Sequence, residues 1–255
     1  MIAADFKASL HKEQGKIGTF VKLANATAVE ALGMSGIDFV IVDTEHAPCD
    51  QLILEHVIRA ADCVNLPTIV RVSNADEDKI LKALDLGASG VQIPGLQTVE
   101  ETRNILRCTK YAPLGCRGLS FSQRSAGYGT KDKDEYMNLS NDGLINVVHI
   151  ENKEMAEHTN ELCSIDEIDV LFIGPMDISQ SMGHPGDPGH PEVSALVRQI
   201  LETCKTRGKP TGIFVGTPEA AKKYLDLGVS YIALSSEIGF MTWGWKKMLE
   251  TVRQN

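Results

Sequence analysis

Charged and hydrogen-bonding side chains collect at the ends of several short apolar runs in this 255-residue chain. FVIVDTEH (39–46) closes on Asp43, Glu45 and His46, and TIVRV (68–72) carries Arg71. INVVHIE (145–151) ends in His149 and Glu151, and VLFIGPMD (170–177) runs into Gly174, Met176 and Asp177. Glu151 and Asp177 are two carboxylates whose hard oxygens suit Mg²⁺ or Mn²⁺, with room for water. His149 falls two residues before Glu151, on the same face of a strand. It is a third ligand, a group behind the ligands, or a packed, hydrogen-bonded strand histidine. Asp43 and His46 form a carboxylate–imidazole pair, and a carboxylate that orients imidazole supports general acid/base work. The plain alternative is that His46 caps the turn before Pro48. Arg71 stands in a run otherwise made of Thr, Ile and Val. A guanidinium there needs an anion, either a bound carboxylate or enolate or a salt bridge to Glu45 or Asp43. Each residue alone is a weak signal, because strands commonly end at solvent. The set gains meaning only if the fold brings these ends together.

The rest of the chain supplies such a fold. Eight short apolar, β-branched runs recur: KIGTFVKL (16–23), DFVIVDT (38–44), TIVRV (68–72), GVQIP (90–94), INVVHIE (145–151), VLFIG (170–174), TGIFV (211–215) and YIALS (231–235). Between most of them the apolar residues take helical spacing. Ala28, Ala31 and Leu32 do so in 25–33, Ile80, Leu81 and Leu84 in 76–86, Val193, Val197 and Ile200 in 192–206, and Ala221, Tyr224 and Leu225 in 217–227. Thr98 and Thr217 occupy N-cap positions, Pro218 a first helical position, and Gly87 and Gly228 close helices. Eight strands alternating with helices over about 250 residues predict a (β/α)8 barrel, in which catalytic groups sit at the C-terminal ends of the strands. An open doubly wound sheet fits less well, since no GxGxxG follows the first run and no composition shift marks two halves. One domain is expected across 1–255. Residues 111–143, with little periodicity, are expected as a long loop of the kind that is functional or disordered.

Composition narrows the classes. With 43% hydrophobic and 23% charged residues, the chain is globular, long enough to bury roughly three quarters of its unfolded surface. Lys and Arg number 25 against 34 Asp and Glu, a net charge of -9 that disfavours nucleic acid and anionic membrane surfaces. No apolar run is long enough to span a bilayer, and the start has no secretory pattern. Six scattered cysteines without a CxxC read as thiols in a reducing cytoplasm. A Schiff-base aldolase needs a strand lysine for its imine. The third, fifth and sixth runs have none, and Lys22 on the first is the one well-placed candidate, so a metal-assisted route is favoured. A phosphate grip at Gly216-Thr217 or Ser235-Ser236 is a weak signal.

Taken together, FVIVDTEHAP, TIVRV, LDLGASGVQIP, CRGLSFSQRSAGYG, VVHIEN, FIGPMDIS and GHPGDPGHPEV resemble the HpcH/HpaI aldolase family from about residue 15 to 240. These are metal-dependent, pyruvate-specific aldolases related to 4-hydroxy-2-oxoheptanedioate aldolase and 2-dehydro-3-deoxyglucarate aldolase. The resemblance implies a modified (β/α)8 barrel whose C-terminal helix is exchanged between subunits, assembled as a trimer of dimers, a homo-hexamer. It implies a divalent metal, Mg²⁺ or Mn²⁺ with Co²⁺ as a further option, held by Glu151 and Asp177. By the same resemblance Arg71 holds pyruvate and its enolate oxygen, and His46 with Asp43 forms the acid/base dyad. The backbone N–H groups of Met176 and Asp177, beside Gly174, hold the pyruvate carboxylate, and Phe214 is an apolar wall. Asp85 matches an acidic residue that reaches a neighbouring subunit's site. His149 stands where close relatives often have glutamine, and Phe214 is larger than the usual leucine.

The implied reaction is reversible cleavage of a 4-hydroxy-2-oxo acid to pyruvate and an aldehyde. The partners are then a small 2-oxo acid and an aldehyde such as succinic semialdehyde, tartronate semialdehyde or a simple aldehyde. Arg117 and Arg124 are candidates for a second substrate carboxylate, against the plainer reading of a solvated loop. Two rivals remain. One is lyase chemistry on an acyl-CoA thioester, which would want a basic pocket that the acidic chain does not favour. The other is a non-catalytic barrel, which would be expected to have lost the metal pair or the arginine.

Overall fold

A computed structural model describes residues 2–12 and 15–253. All eight apolar runs form strands: β1 (Lys16–Val21), β2 (Phe39–Asp43), β3 (Thr68–Arg71), β4 (Gly90–Ile93), β5 (Ile145–Ile150), β6 (Val170–Ile173), β7 (Thr211–Val215) and β8 (Tyr231–Ser236). They pair in parallel and in chain order, and β8 returns to β1 to close the barrel. Parallel neighbours need a crossover between them, and helices provide it.

Strand side chains alternate between the two faces of the sheet, and here the alternation separates two cores. Phe39, Ile41, Ile69, Val147, Phe172 and Tyr231 fill the barrel interior. Val40, Val42, Val70, Val91, Val148 and Ile232 belong to the layer packed against the helices. Both layers are apolar, which is why the strands read as near-continuous hydrophobic runs. The N-terminal helix Ile2–Ser9 and the turn after it close the floor, with Phe6 and Leu10 joining the interior cluster and the Phe6 ring 5.2 Å from that of Phe39. Gly90 is a point of close approach, because a Cβ there would lie 2.1 Å from the Ile145 carbonyl oxygen. A side chain at 90 would force β4 away from β5.

The helices begin where the capping residues predict. Thr98 accepts from Glu101 N–H ahead of Val99–Arg107, and Thr217 accepts from Ala220 N–H ahead of Pro218–Asp226. Asp50 and Asp76 cap Gln51–Cys63 and Glu77–Asp85 in the same way. The segment 111–143 departs from expectation. It contains a 3₁₀ stretch, Arg124–Gly129, and a capped α-helix, Lys133–Gly143. The helix buries Tyr136, Asn141 and Gly143 rather than an apolar stripe, so hydrophobic periodicity could not signal it. Among the described residues no helix is long and apolar enough to cross a membrane.

Candidate active site

The inward series of each strand continues past its last interior residue. Two residues beyond Phe20 comes Lys22, and beyond Ile41 comes Asp43. Arg71 follows Ile69, Glu151 follows His149, Gly174 follows Phe172 and Phe214 follows Gly212. The β-sheet register places Asp43 beside Arg71, and Arg71 beside Gln92. Alternation and register alone therefore deliver these groups to one mouth, over a cavity of about 740 Å³.

On the β2–β3 side the charges satisfy one another. Asp43 is fully buried and takes a bidentate grip from Arg71, Nε to Oδ1 at 3.0 Å and Nη2 to Oδ2 at 2.7 Å. Arg71 Nη1 lies 3.0 Å from Glu45 Oε2, and Lys22 Nζ lies 3.5 Å from Asp43 Oδ2. The guanidinium also sits over the Phe20 ring, 4.7 Å from its centroid. Burial pushes the Asp43 carboxyl up, but Arg71 and the N–H groups of His46 and Glu45 outweigh it and hold Asp43 below the usual carboxylate range. Burial dominates at Glu45, whose carboxyl is raised despite Arg71 and His46. Three of the five guanidinium N–H donors face these carboxylates, which leaves two for a ligand.

The Asp43–His46 pairing needs correction. It is the His46 backbone N–H that donates to Asp43 Oδ1, at 3.1 Å. The imidazole points away, 64% exposed, with Nε2 3.7 Å from Glu45 Oε2. Asp43 is committed to Arg71, so Glu45 is the carboxylate facing the ring.

The β5–β6 side is built differently. Glu151 Oε2 accepts from Gly95 N–H at 2.9 Å, and Oε1 pairs with His149 Nδ1. His149 is buried, stacked on Phe172 at 4.8 Å, and its Nε2 lies 2.7 Å from Gln92 Nε2. An amide NH₂ only donates, so His149 Nε2 accepts and Nδ1 carries the proton toward Glu151. Tyr231 O–H extends the chain by donating to Gln92 Oε1 at 3.3 Å. Both ring nitrogens of His149 are therefore engaged by protein groups.

Burial alone would raise Glu151. His149 beside it, the Gly95 N–H and Arg71 hold it below the usual carboxylate range. Asp177 opens the short helix Pro175–Ser181 and is raised, first by burial and then by the charge of Glu151. Both carboxylates face a cradle over Gly174. A Cβ placed on Gly174 would lie 3.3 Å from Asp177 Oδ2 and 3.7 Å from Glu151 Oε1. An ionised carboxylate that raises its neighbour's cost of ionisation over a gap kept open by glycine fits a divalent cation. Met176 and Phe214 line the same cavity, and the Phe214 ring lies 5.9 Å from that of Phe20.

Three expected residues lie elsewhere. Asp85 ends helix Glu77–Asp85 and pairs with Arg117 at 2.8 Å. Arg124 donates to the Leu86 carbonyl at 2.8 Å and pairs with Asp62. In a βα unit the helix runs back from the mouth, so its C-terminal end lies at the opposite face of the barrel. There a separate cavity of about 970 Å³ is lined by Arg59, Arg117, Arg124 and Tyr128. Within one chain, then, Arg117, Arg124 and Asp85 do not reach the mouth. Conversely, Lys22 enters it as an ion-paired cation rather than as an imine former. Gln92 was visible only as a lone polar residue in the run GVQIP.

Comparison with known proteins finds relatives along nearly the whole chain. The family model for HpcH/HpaI aldolase/citrate lyase matches residues 16–242. A 2-dehydro-3,6-dideoxy-6-sulfogluconate aldolase from Pseudomonas putida is 34% identical over 232 residues, 91% of this chain and 90% of that protein. A 5-keto-4-deoxy-D-glucarate aldolase from an Enterobacter species is 31% identical over 249 residues, 98% of this chain and 96% of the relative. The crystal structure of an HpcH/HpaI aldolase/citrate lyase family protein from Burkholderia cenocepacia superposes with a TM-score of 0.93 at 28% identity, covering 98% of this chain and 100% of that one.

Proposed function

This chain belongs to the HpcH/HpaI aldolase/citrate lyase family and is an aldolase, a carbon–carbon lyase; from that premise we propose that it reversibly cleaves a 4-hydroxy-2-oxo acid to pyruvate and an aldehyde. The observation that carries this reading is the Glu151–Asp177 cradle over Gly174, set in one cavity with the Arg71 guanidinium.

Glu151 and Asp177 hold a divalent metal, Mg²⁺ or Mn²⁺. When bound it supplies positive charge toward the 2-oxo group, lowering the energy of the enolate. The free N–H donors of Arg71 point the same charge at the same oxygen. Main-chain N–H groups of Met176 and Asp177, in a first helical turn, receive the substrate carboxylate. His46 takes the proton of the 4-hydroxyl through a water, with Glu45 facing the ring. The C3–C4 bond then breaks, its electrons enter the enolate, and the aldehyde departs. Protonation at C3 gives pyruvate. His149, locked by Gln92 and Phe172, fixes the direction of the Glu151 carboxylate.

Phe20 and Phe214 form the apolar wall of the mouth, and Lys22 stands at its edge. Arg71 has most of its donors on Asp43 and Glu45. Lys22 is therefore the cation with donors to spare, which favours an aldehyde that bears a carboxylate or other anionic group. Both curated relatives named above act on acid sugars, in keeping with this.

Assembly as a hexamer with exchanged C-terminal helices is supported by helix Glu237–Arg253, which exposes Phe240, Trp243, Trp245 and Met248. The cysteines are free thiols, which suits the cytoplasm.

The test is pyruvate release from 4-hydroxy-2-oxoheptanedioate and 2-dehydro-3-deoxyglucarate, with Mg²⁺ or Mn²⁺ and then with EDTA. Release that stops with EDTA is expected. Release that survives EDTA would remove the carboxylate pair from the mechanism.

A further inference from the structure

Strand β8 bends before it hands the chain to the last helix. Gly18 pairs with Ala233, but Phe20 pairs with Ser236, so three steps along β8 match two along β1. The extra residue makes a β-bulge, and bulges re-aim the side chains around them. Ser235, inside it, has φ of +56, a left-handed conformation that a residue with a Cβ takes up only under constraint. Gly239 leaves room for it, because a Cβ there would lie 2.6 Å from Ser235 Oγ.

Beyond the bulge Glu237, the first residue of helix Glu237–Arg253, turns back toward β1 and is buried. Its Oε1 accepts from Lys22 N–H at 2.5 Å and from Leu23 N–H at 2.6 Å. Its Oε2 accepts from Ile238 N–H at 3.3 Å. A hydroxyl or an amide would serve two loop N–H groups without the cost of burying a carboxylate. The carboxylate makes charge-assisted bonds, which are roughly twice as strong. Such a tie suits a segment whose side chain has a place to keep.

That segment carries Lys22. Its Nζ lies 3.5 Å from Asp43 Oδ2, and it lines the mouth with Phe20, Ser236 and Ile238. Just beyond it Ala24 has φ of +47 and turns the chain into helix Ala26–Met34. The end of β1 is therefore pinned twice, by Glu237 at 22 and 23 and by the left-handed turn at 24. Lysine has many rotamers, and a fixed main chain reduces the freedom it must give up on meeting a ligand.

We propose that Glu237 is a positioning residue for substrate selectivity: it fixes the Lys22 main chain so that the ammonium group meets the anionic half of the aldehyde, and so it rests on the reading of Lys22 as the cation for that half. The root of the C-terminal helix thereby sets a specificity residue on β1, across the seam that closes the barrel.

The test compares the full-length wild type, Glu237→Ala, Lys22→Met and the double variant. Pyruvate release is measured from 4-hydroxy-2-oxoheptanedioate, whose aldehyde half is anionic, and from 4-hydroxy-2-oxopentanoate, whose aldehyde half is neutral. Glu237→Ala should lower the ratio of the two kcat/KM values about fivefold, mostly through KM, and should lower it no further in the Lys22→Met background. Amide exchange in a peptide spanning 20–25, followed by mass spectrometry, should quicken about tenfold at Lys22 and Leu23. Glu237→Gln, which keeps the shape and loses the charge, should shift both readings the same way by less and guards against a folding defect. An equal fall for both substrates, the mark of a purely structural role, would overturn the proposal. So would unchanged amide exchange. A ratio that Lys22→Met itself leaves unchanged would instead overturn the reading of Lys22, with the exchange rates still reporting the anchor.

Discussion

The two sides of the barrel mouth hold similar residues with different counter-charges. On β2 and β3, Asp43 and Glu45 meet Arg71 and Lys22, so the carboxylates have counter-charges within 3.5 Å. On β5 and β6, Glu151 and Asp177 face each other over Gly174, and burial with Glu151's charge raises Asp177. The first side is complete as protein. On the second, His149, the Gly95 N–H and Arg71 keep Glu151 ionised, and Asp177 is the carboxylate left for a cation from outside. A buried charge that has its partner reads as structure, and one that lacks it reads as a site.

Opposite responses to neutralisation are the sharpest way to break this contrast. Asp177→Asn should lower pyruvate release by about 10³-fold or more, since it removes a ligand to the charge that stabilises the transition state. In metal-free buffer the same variant should melt at or above the wild-type temperature, because a repulsion is gone. A clear drop in that melting temperature would contradict the account.

Arg71→Met acts on the completed side and should cost both activity and stability. It strands the Asp43 carboxylate in the interior, where an unpaired charge costs about 3–5 kcal/mol by denaturant unfolding. Asp43→Asn on the Arg71→Met background should restore most of the stability and none of the activity. The pH dependence carries a sign. Asp43 has its carboxyl lowered by folding, so its ionised form stabilises the fold above the ordinary value of 3.8. That contribution is lost as pH falls through the lower folded value. The stability gap between wild type and Asp43→Asn should therefore be largest near neutrality and shrink below 3.8.

Smaller effects belong to the supporting groups. His149→Gln keeps a hydrogen-bonding side chain but loses the locked ring, and apparent Mn²⁺ affinity in the pyruvate-release assay should weaken about tenfold. Lys22→Met should leave release from substrates of neutral aldehydes unchanged. It should lower kcat/KM about tenfold where the aldehyde half is anionic, the value of one charge-assisted hydrogen bond. Equal losses for both classes would make Lys22 part of the Asp43 network alone.

Much of this was legible in the residues. Short apolar, β-branched runs identified all eight strands, because parallel barrel strands bury both faces and their apolar runs are unbroken. The ends of those runs carry Glu151, Asp43 and Arg71, and the fold made them converge. Spacing could not show which atom of a residue is used. Asp43 and His46 are three apart, but the contact runs to the histidine's main chain and the ring swings toward Glu45. Helix Lys133–Gly143 escaped notice for a related reason. It is tied down by polar burial, including Tyr136 O–H near Ser125 and Tyr111, and an apolar count does not register such bonds. Arg124 was drawn toward the mouth by its charge alone, whereas chain direction carries it to the far face.

The central claim is that the β5–β6 carboxylates, once supplied with a cation, make a pyruvate enolate with help from Arg71. The most direct measurement omits the aldehyde altogether. Pyruvate in D₂O is incubated with the enzyme and Mn²⁺ or Mg²⁺, and after quenching its methyl protons are followed by NMR. The account predicts exchange that needs the divalent ion, stops with EDTA, is lost in Asp177→Asn and Arg71→Met, and persists in Lys22→Met. Exchange that continues in EDTA, or in Asp177→Asn, would contradict it.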